Sequence, residues 1–544
     1  MKLLDLTLVL LTISTSAFAE RIGGTRIRKG NDLAGIITDS RTGKGIKGVA
    51  VSDGYGFTLT DKRGVYQMKA NPGARTVWYR TPSSYKMAQD ESGAPAFYAY
   101  RNSSAKVDRH DFVLEPLDRQ EDDITLLIMA DPQCQSDFDV NRLRTETIPD
   151  ARKTIEEGIA SGRYSNVYGI GLGDIIYDNL DIWAPMRESF RSLSYSGGSV
   201  PIYNIPGNHD HSNKVDNAYD AIDNYIRFFG PQDYSFDRGQ VHFIFMDDII
   251  FTGSQPDTKA KPWNNCLYDC GFTDEQMSWL LEDLSLVEDK ESKMVVFCTH
   301  APFRQGSKKG GGNVNHGRHY DDVLSALTGF KTAEILIGHT HYPETYIHKD
   351  YVCKGGGAVR EHVFGSMCGA WWHTNICVDG TPNGYAVYQI GGTVFTDEVA
   401  RFTGLPESCQ MRVYDGNQVY NGTKGVEFKW EDDLKGKFIA TVWYADPENW
   451  KVEFIQDGVA RPMEQVSRRQ RDWCAYSYFI NENGRNPENK SYWTNRPHYW
   501  TIPAASGDPS SEKGWTIRAT HTVPGSGKVH VYSCDKIQKD YVGL

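Results

Sequence analysis

Five apolar runs in the middle of this 544-residue chain each break off into side chains that can hold a cation or move a proton. "ITLLIMADPQ" ends in Asp131 and Gln133, "VYGIGLGDIIYD" in Asp174, Tyr177 and Asp178, and "VPIYNIPGNHD" in Asn208, His209 and Asp210. "KMVVFCTHAP" carries His300, and "AEILIGHTH" carries His339 and His341. Singly these are ordinary, because an aspartate after a strand commonly caps a turn and a lone histidine commonly sits satisfied in a loop. Together they offer carboxylate oxygens, amide oxygens and imidazole nitrogens, the donor set of hard to borderline divalent and trivalent cations. Their number suffices for two ions. Alternate side chains of an extended segment point the same way, so His339 and His341 could face one cavity while Thr340 faces elsewhere, with Gly338 giving the backbone room to turn. Paired cations roughly 3.5–4 Å apart clamp the attacking and leaving oxygens of a phosphoryl displacement. A carboxylate between them is the natural bridge, and Asp174 is the candidate.

The runs that must position these groups read as strands buried on both faces, alternating with amphipathic stretches at Arg144–Ala160 and Thr273–Leu286. That texture predicts an α/β domain with αββα layers, and open α/β sheets gather ligands at the carboxyl ends of their strands. Before it, the Gly-punctuated stretch from Gly35 to Met68 alternates in short runs, as a small antiparallel sandwich does. Beyond about Ala358 helical periodicity fades into aromatic-rich strands. The expected division is a leader over 1–19, a β-sandwich over 20–117, the α/β core over 123–357 and a β-rich domain over 358–544.

The ordered blocks "DPQ", "GDIIYD", "GNHD", "THAP" and "GHTH" resemble the calcineurin-like metallophosphoesterase superfamily over about Asp123 to Ala358. Residues 20–117 resemble transthyretin-like, carboxypeptidase-regulatory-like sandwich modules. "GAWW" (369–372) and "DGTPNGY" (379–385) resemble the C-terminal part of an exported bacterial branch of the superfamily. The resemblance implies a phosphoester hydrolase with two metal ions, Mn, Zn or Fe. One site would use Asp131, Asp174 and His341, the other Asp174, Asn208, His300 and His339. His209 would polarise the phosphoryl oxygen or protonate the leaving alkoxide, held and charged by Asp210, whose other reading is a loop-capping carboxylate.

One position departs from the family pattern: Gln133 stands where a histidine is usual. An amide oxygen ligates a hard cation more weakly than imidazole does, so the first site is expected to be looser or to take a different metal. Tyr177 has two readings, a packing side chain or a phenolate ligand to ferric iron of the kind that purple acid phosphatases use.

A formal charge of −11 and the lack of a basic stripe argue against stable nucleic-acid binding. The substrate expected is a phosphoester small molecule or a phosphorylated glycan or lipid head group, with monoester and diester both open. Lys2, the apolar Leu6–Ile13 and Ala17-Phe18-Ala19 read as an export signal, so a periplasmic or extracellular protein with no membrane span is expected. Of the ten cysteines, Cys266 and Cys270 are the expected disulfide, while Cys134 and Cys298 read as small buried hydrophobes. The loop Arg304–Tyr320, with Arg304, Lys308, Lys309, His316 and His319, is either a phosphate-neutralising loop or an exposed connection.

Two other function classes remain open. An envelope or carbohydrate-binding protein with a metal centre degenerate at Gln133 would bind through aromatic surface such as Ser491–Pro503. A nuclease or nucleotidase would place stacking aromatics beside the metals, with Trp371 and Trp372 as candidates.

Overall fold

The computed structural model describes residues 21–254, 266–303, 317–421, 427–466, 471–481 and 498–539. The expected leader, most of the 304–320 loop and residues 491–497 lie outside them. The central strands are, in chain order, β1 (Asp123–Met129), β2 (Val167–Leu172), β3 (Ser192–Tyr195), β4 (Gly198–Ile205), β5 (Tyr234–Arg238), β6 (Val241–Phe245), β7 (Ile249–Ser254), β8 (Cys266–Cys270), β9 (Met294–Cys298), β10 (Thr332–Ile337), β11 (Glu344–Val352), β12 (Ala358–Val363), β13 (Gly384–Gly391) and β14 (Val394–Phe402). One six-stranded sheet runs β3-β4-β2-β1-β13-β14, the other β5-β6-β9-β10-β12-β11, and β7 with β8 forms a separate hairpin. The neighbours β1, β2 and β4 are parallel, as are β6, β9, β10 and β12.

Burial explains why these strands read as unbroken apolar runs. Along β1, Ile124, Leu126 and Ile128 pack in the cluster that holds Phe243, Phe297 and Ile335 of the facing sheet. Leu127 and Met129 turn the other way, onto Ile155 of α1 (Ile148–Ala160) and Trp183 of α2 (Trp183–Phe190). Both faces of the strand are therefore covered. The second sheet is covered by Leu280 and Leu284 of α3 (Asp274–Ser285) and Val323 and Leu327 of α4 (Tyr320–Leu327). Helix α3 starts where its sequence says it should, at a capping box between Thr273 and Gln276. The result is the layered αββα architecture.

Strands β12, β13 and β14 lie beyond residue 357, yet they are hydrogen-bonded into the two central sheets. There β12 still pairs in parallel with β10 while β13 and β14 add antiparallel strands, so fading helical periodicity does not mark the end of the layers. The segments Leu33–Leu114 and Met411–Cys534 form β-rich units, each with two four-stranded sheets.

The N-terminal sandwich is locked onto the core. Trp279 of α3 donates to Ser52 Oγ at 3.1 Å and its ring lies 5.4 Å from that of Phe57. Arg80 reaches Asp283 at 3.2 Å and the Leu286 carbonyl at 2.8 Å. Beneath it His242 is fully buried between two carboxylates, Asp237 at 2.7 Å from Nδ1 and Asp283 at 2.8 Å from Nε2.

The cysteine expectation is corrected. Cys266 and Cys270 end opposite tips of the single strand β8, so four steps of ~3.3 Å separate them, far beyond the reach of a disulfide. All ten cysteines are free thiols, with Cys134 and Cys298 buried. In the described part of the Ser491–Pro503 stretch, Tyr499 and Trp500 are buried in the C-terminal core, which closes them to a ligand. Among the described residues no helix is long and apolar enough to cross a membrane.

Candidate metal centre

Parallel pairing sets the carboxyl ends of β1, β2 and β4 side by side in one sheet, and of β9 and β10 in the other. From these five ends come Asp131, Asp174, Asn208, His300, and the pair His339 and His341. After β1, β2 and β10 the chain changes direction on the functional residues themselves. Asp131, Gln133, Asp174, His339 and His341 have φ of 49°, 38°, 50°, 70° and 64°. Left-handed backbone is costly for a residue with a Cβ and gathers where function requires it. Gly338 does not supply the turn. It supplies room, because a Cβ there would stand 2.6 Å from Asp131 Oδ2. Gly207 serves the same end, since a Cβ there would stand 2.3 Å from Asp174 Oδ1.

Two groups of donors result, and Asp174 belongs to both: Asp174 with His300 and His339, and Asp131 with Asp174 and His341, the ligand atoms of each lying within 4.8 Å of one another. In the first, Asn208 Oδ1 lies 2.9 Å from His339 Nδ1 and 3.3 Å from His300 Nε2, the two ring nitrogens are 3.1 Å apart, and Asp174 Oδ2 is 3.3 Å from His300 Nε2. His300 Nδ1 meets the Leu172 carbonyl at 2.8 Å, which commits the ring proton to that side and leaves Nε2 with its lone pair towards the cluster. In the second, His341 Nε2 lies 3.5 Å from Asp131 Oδ1, while the His339 amide donates to both Asp131 oxygens at 3.1 and 3.0 Å. Gln133 donates its Nε2 to Asp174 Oδ2 at 2.7 Å, and its buried Oε1 has no hydrogen-bond partner.

A buried amide oxygen without a donor and lone pairs gathered at hydrogen-bond distance are costly unless a cation completes them. The residues present therefore fit bound metal ions. Among the protein groups alone, the charges conflict. Burial, reinforced by Asp174, pushes the Asp131 carboxyl up to about 8. Burial drives His339 down to about 3 and His341 to about 4. His300 is lifted to about 10, the pull of Asp174 outweighing burial.

Of the two readings of Asp210, the loop-capping one fits its contacts, and the hold on His209 falls to another acid. The Asp210 carboxylate accepts the backbone N–H groups of Ile175, Ile176 and Gly207 at 3.0, 3.0 and 2.9 Å, so it ties two of the loops together. It is Asp178 that holds His209, with Oδ2 3.1 Å from Nδ1. Burial disfavours the imidazolium, but Asp174 and Asp178 outweigh it and raise His209 to about 9. The ring of Tyr177 is stacked on that of His209, centroids 4.2 Å apart, which favours its packing reading.

Several supporting residues were not singled out by the sequence. Asp248, at the end of β6, accepts the backbone N–H groups of His300 and Ala301 and the Tyr320 hydroxyl at 2.7 Å. The β7–β8 hairpin roofs the centre: Cys266 Sγ donates to the Asn208 carbonyl at 2.9 Å and Tyr268 lies edge-on to His339. Asp248 shares the strand-end signature and was legible on that ground; the hairpin contacts have no local signal. Of the basic loop, His319 is described and lies between Asp274 and Asp322, 2.7 and 2.6 Å away, at the surface.

The family model "Calcineurin-like phosphoesterase" matches residues 124–343, "N terminal of Calcineurin-like phosphoesterase" matches 31–117 and "C terminal of Calcineurin-like phosphoesterase" matches 361–524. No curated protein matches the chain. Among solved structures, a purple acid phosphatase from yellow lupin (Lupinus luteus) seeds is 13% identical over 76% of this chain and 68% of its own, with a TM-score of 0.30. A putative 5'-nucleotidase from Staphylococcus aureus is 14% identical over 57% of this chain and 56% of its own (TM-score 0.28). The NAD nucleotidase of Haemophilus influenzae is 9% identical over 57% and 54% (TM-score 0.27). The chain thus spans little more than half the length of either nucleotidase.

Proposed function

Because the chain belongs to the calcineurin-like phosphoesterase superfamily and is a metal-dependent phosphoester hydrolase, we propose that it works with two cations that share Asp174. Asp131, Gln133, Asp174 and His341 would hold one, and Asp174, Asn208, His300 and His339 the other. The observation that carries this reading is the common carboxylate: Asp174 completes both groups of donors. Mixed oxygen and nitrogen donors suit Mn, Zn or Fe. When bound, such ions supply Lewis acidity towards the phosphoryl oxygens and lower the pKa of water.

The remaining work falls to side chains. His209 donates the proton to the departing alkoxide. Its Nδ1 is engaged by Asp178, whose carboxylate favours the protonated ring, so Nε2 is the ring atom free for that task. Tyr177, stacked on the imidazole, fixes its plane. From Lys2, Leu6–Ile13 and Ala17-Phe18-Ala19, which read as an export signal, we propose that the protein works outside the cytoplasm.

The test is hydrolysis of p-nitrophenyl phosphate and bis-p-nitrophenyl phosphate by metal-replete protein, together with metal content by elemental analysis. Two ions per chain, falling to one or none in Asp174→Asn, support the shared centre. No turnover of either ester with Mn, Zn, Fe or Ni would falsify the catalytic reading and leave the binding-protein alternative.

A further inference from the structure

Three aromatic rings stand against three of the imidazoles of the centre. Tyr177 covers His209 and belongs to the proton donor. The other two come from distant segments and meet one imidazole of each donor group. Trp371, between β12 and β13, has its ring 5.4 Å from that of His341, tilted by 57°. Tyr268, on the overhanging β8, has its ring 6.3 Å from that of His339 and nearly perpendicular to it. Both are only partly buried.

Trp371 is held there at a cost. It and Trp372 both take left-handed backbone, φ 51° and 58°, where a bulky side chain is a rare guest. Trp372 anchors the turn: its indole is fully buried and donates to the Pro132 carbonyl at 2.6 Å, directly beside Gln133, and Arg142 lies over its ring at 5.6 Å. With the second tryptophan pinned against the loop of Asp131 and Gln133, the first is directed at His341. A smaller residue would fill a purely structural turn with less strain.

We propose that Trp371 and Tyr268 are specificity residues that select the ester group of the substrate, and that this group carries a flat aromatic ring. The inference rests on the phosphoesterase reading above and names the substrate class of the same site. A phosphoryl group held at the centre would project its ester substituent past the imidazoles, where these two half-buried rings would offer stacking that a planar ring can use and a puckered one cannot. Aryl esters and nucleotides share that chemistry.

The experiment compares kcat/KM for 2-phenylethyl and 2-cyclohexylethyl phosphate, as monoesters and as methyl diesters. Their leaving alkoxides are alike, so preference reports the ring. Adenosine monophosphate against ribose 5-phosphate separates a nucleobase from a simple aryl group. The wild type is expected to favour the phenyl over the cyclohexyl ester at least tenfold, and Trp371→Ala or Tyr268→Ala to collapse that ratio through KM. Trp371→Phe and Tyr268→Phe, which keep a ring and the fold, are expected to retain most of it. Turnover without a ring preference, or a loss in kcat that is equal for both esters, overturns the proposal while sparing the phosphoesterase reading. Absence of turnover with every ester overturns both.

Discussion

His209 is held by Asp178, 3.1 Å away, and not by Asp210, its neighbour in the chain, whose carboxylate is spent on three backbone amides. The division of labour makes the two aspartates separable by mutation. Replacing His209 by Ala is expected to lower kcat by roughly 10²–10⁴ on an alkyl phosphoester, the usual yield of general acid catalysis. The loss on a p-nitrophenyl ester, whose leaving group needs no proton, should be smaller. Asp178→Asn should follow the same pattern with a loss of about 10–100-fold, as for other residues that orient a reactive one. Steady-state kinetics on the two esters decides it; equal losses on both would remove proton donation from His209.

Asp210→Asn should instead read out as stability. It weakens three amide contacts that join the β2 and β4 loops, and a shift of the melting temperature with cation content partly retained is the expected result. Differential scanning calorimetry with elemental analysis checks it.

Gln133 offers a buried oxygen without a partner. Gln133→Ala is expected to weaken metal binding by about 10–100-fold, and Gln133→His to tighten it. Competition with a chelator, read as ions retained per chain, is the measurement. Unchanged retention in both variants would take Gln133 out of the ligand set.

Gly338→Ala brings a methyl group to within 2.6 Å of Asp131 Oδ2. The carboxylate must move, so loss of bound metal is expected with little loss of secondary structure. Elemental analysis beside far-UV circular dichroism tests this, and full metal content in the variant would contradict the close approach.

His242 predicts how stability varies with pH. Burial disfavours its cation, but Asp283 and Asp237 outweigh it and raise its pKa above 6.5 in the folded state. Its contribution is therefore complete below pH 6.5 and is lost as pH rises through the higher folded value. Asp237 is opposed by burial too, yet His242 and Arg80 bring it down from 3.8 to about 2, so its contribution is complete above 3.8 and is lost as pH falls towards 2. His242→Gln removes the cation between two carboxylates that Arg80 also reaches, and is expected to cost about 1–3 kcal/mol at pH 6. The gap to wild type should narrow above pH 7. Urea midpoints across pH 5 to 9 measure it.

How much of this was visible in the sequence follows from where the information lies. The candidate metal-binding side chains stand immediately after apolar runs, and parallel sheets bring such positions together, so Asp131, Asp174, Asn208, His300 and the 339/341 pair could be placed at one rim. Which acid serves His209 could not be read, because it depends on how the loop beyond Asp174 closes, with Asp178 itself at φ 56°. Adjacency in sequence favoured Asp210. Gly338 looked like a turn because glycine usually is one; its role is the space beside Asp131. The supposed Cys266–Cys270 bridge failed because a strand holds residues four apart at maximal separation.

Strand β1 lies between β2 and β13. A chain that stopped just after His341 would own every candidate ligand and yet leave the flank of β1 bare, an unpaired edge open to adhesion by any passing strand. The residues that finish the reactive rim are thus made well before those that seal it. A truncated product would be sticky and poorly housed rather than a minimal enzyme.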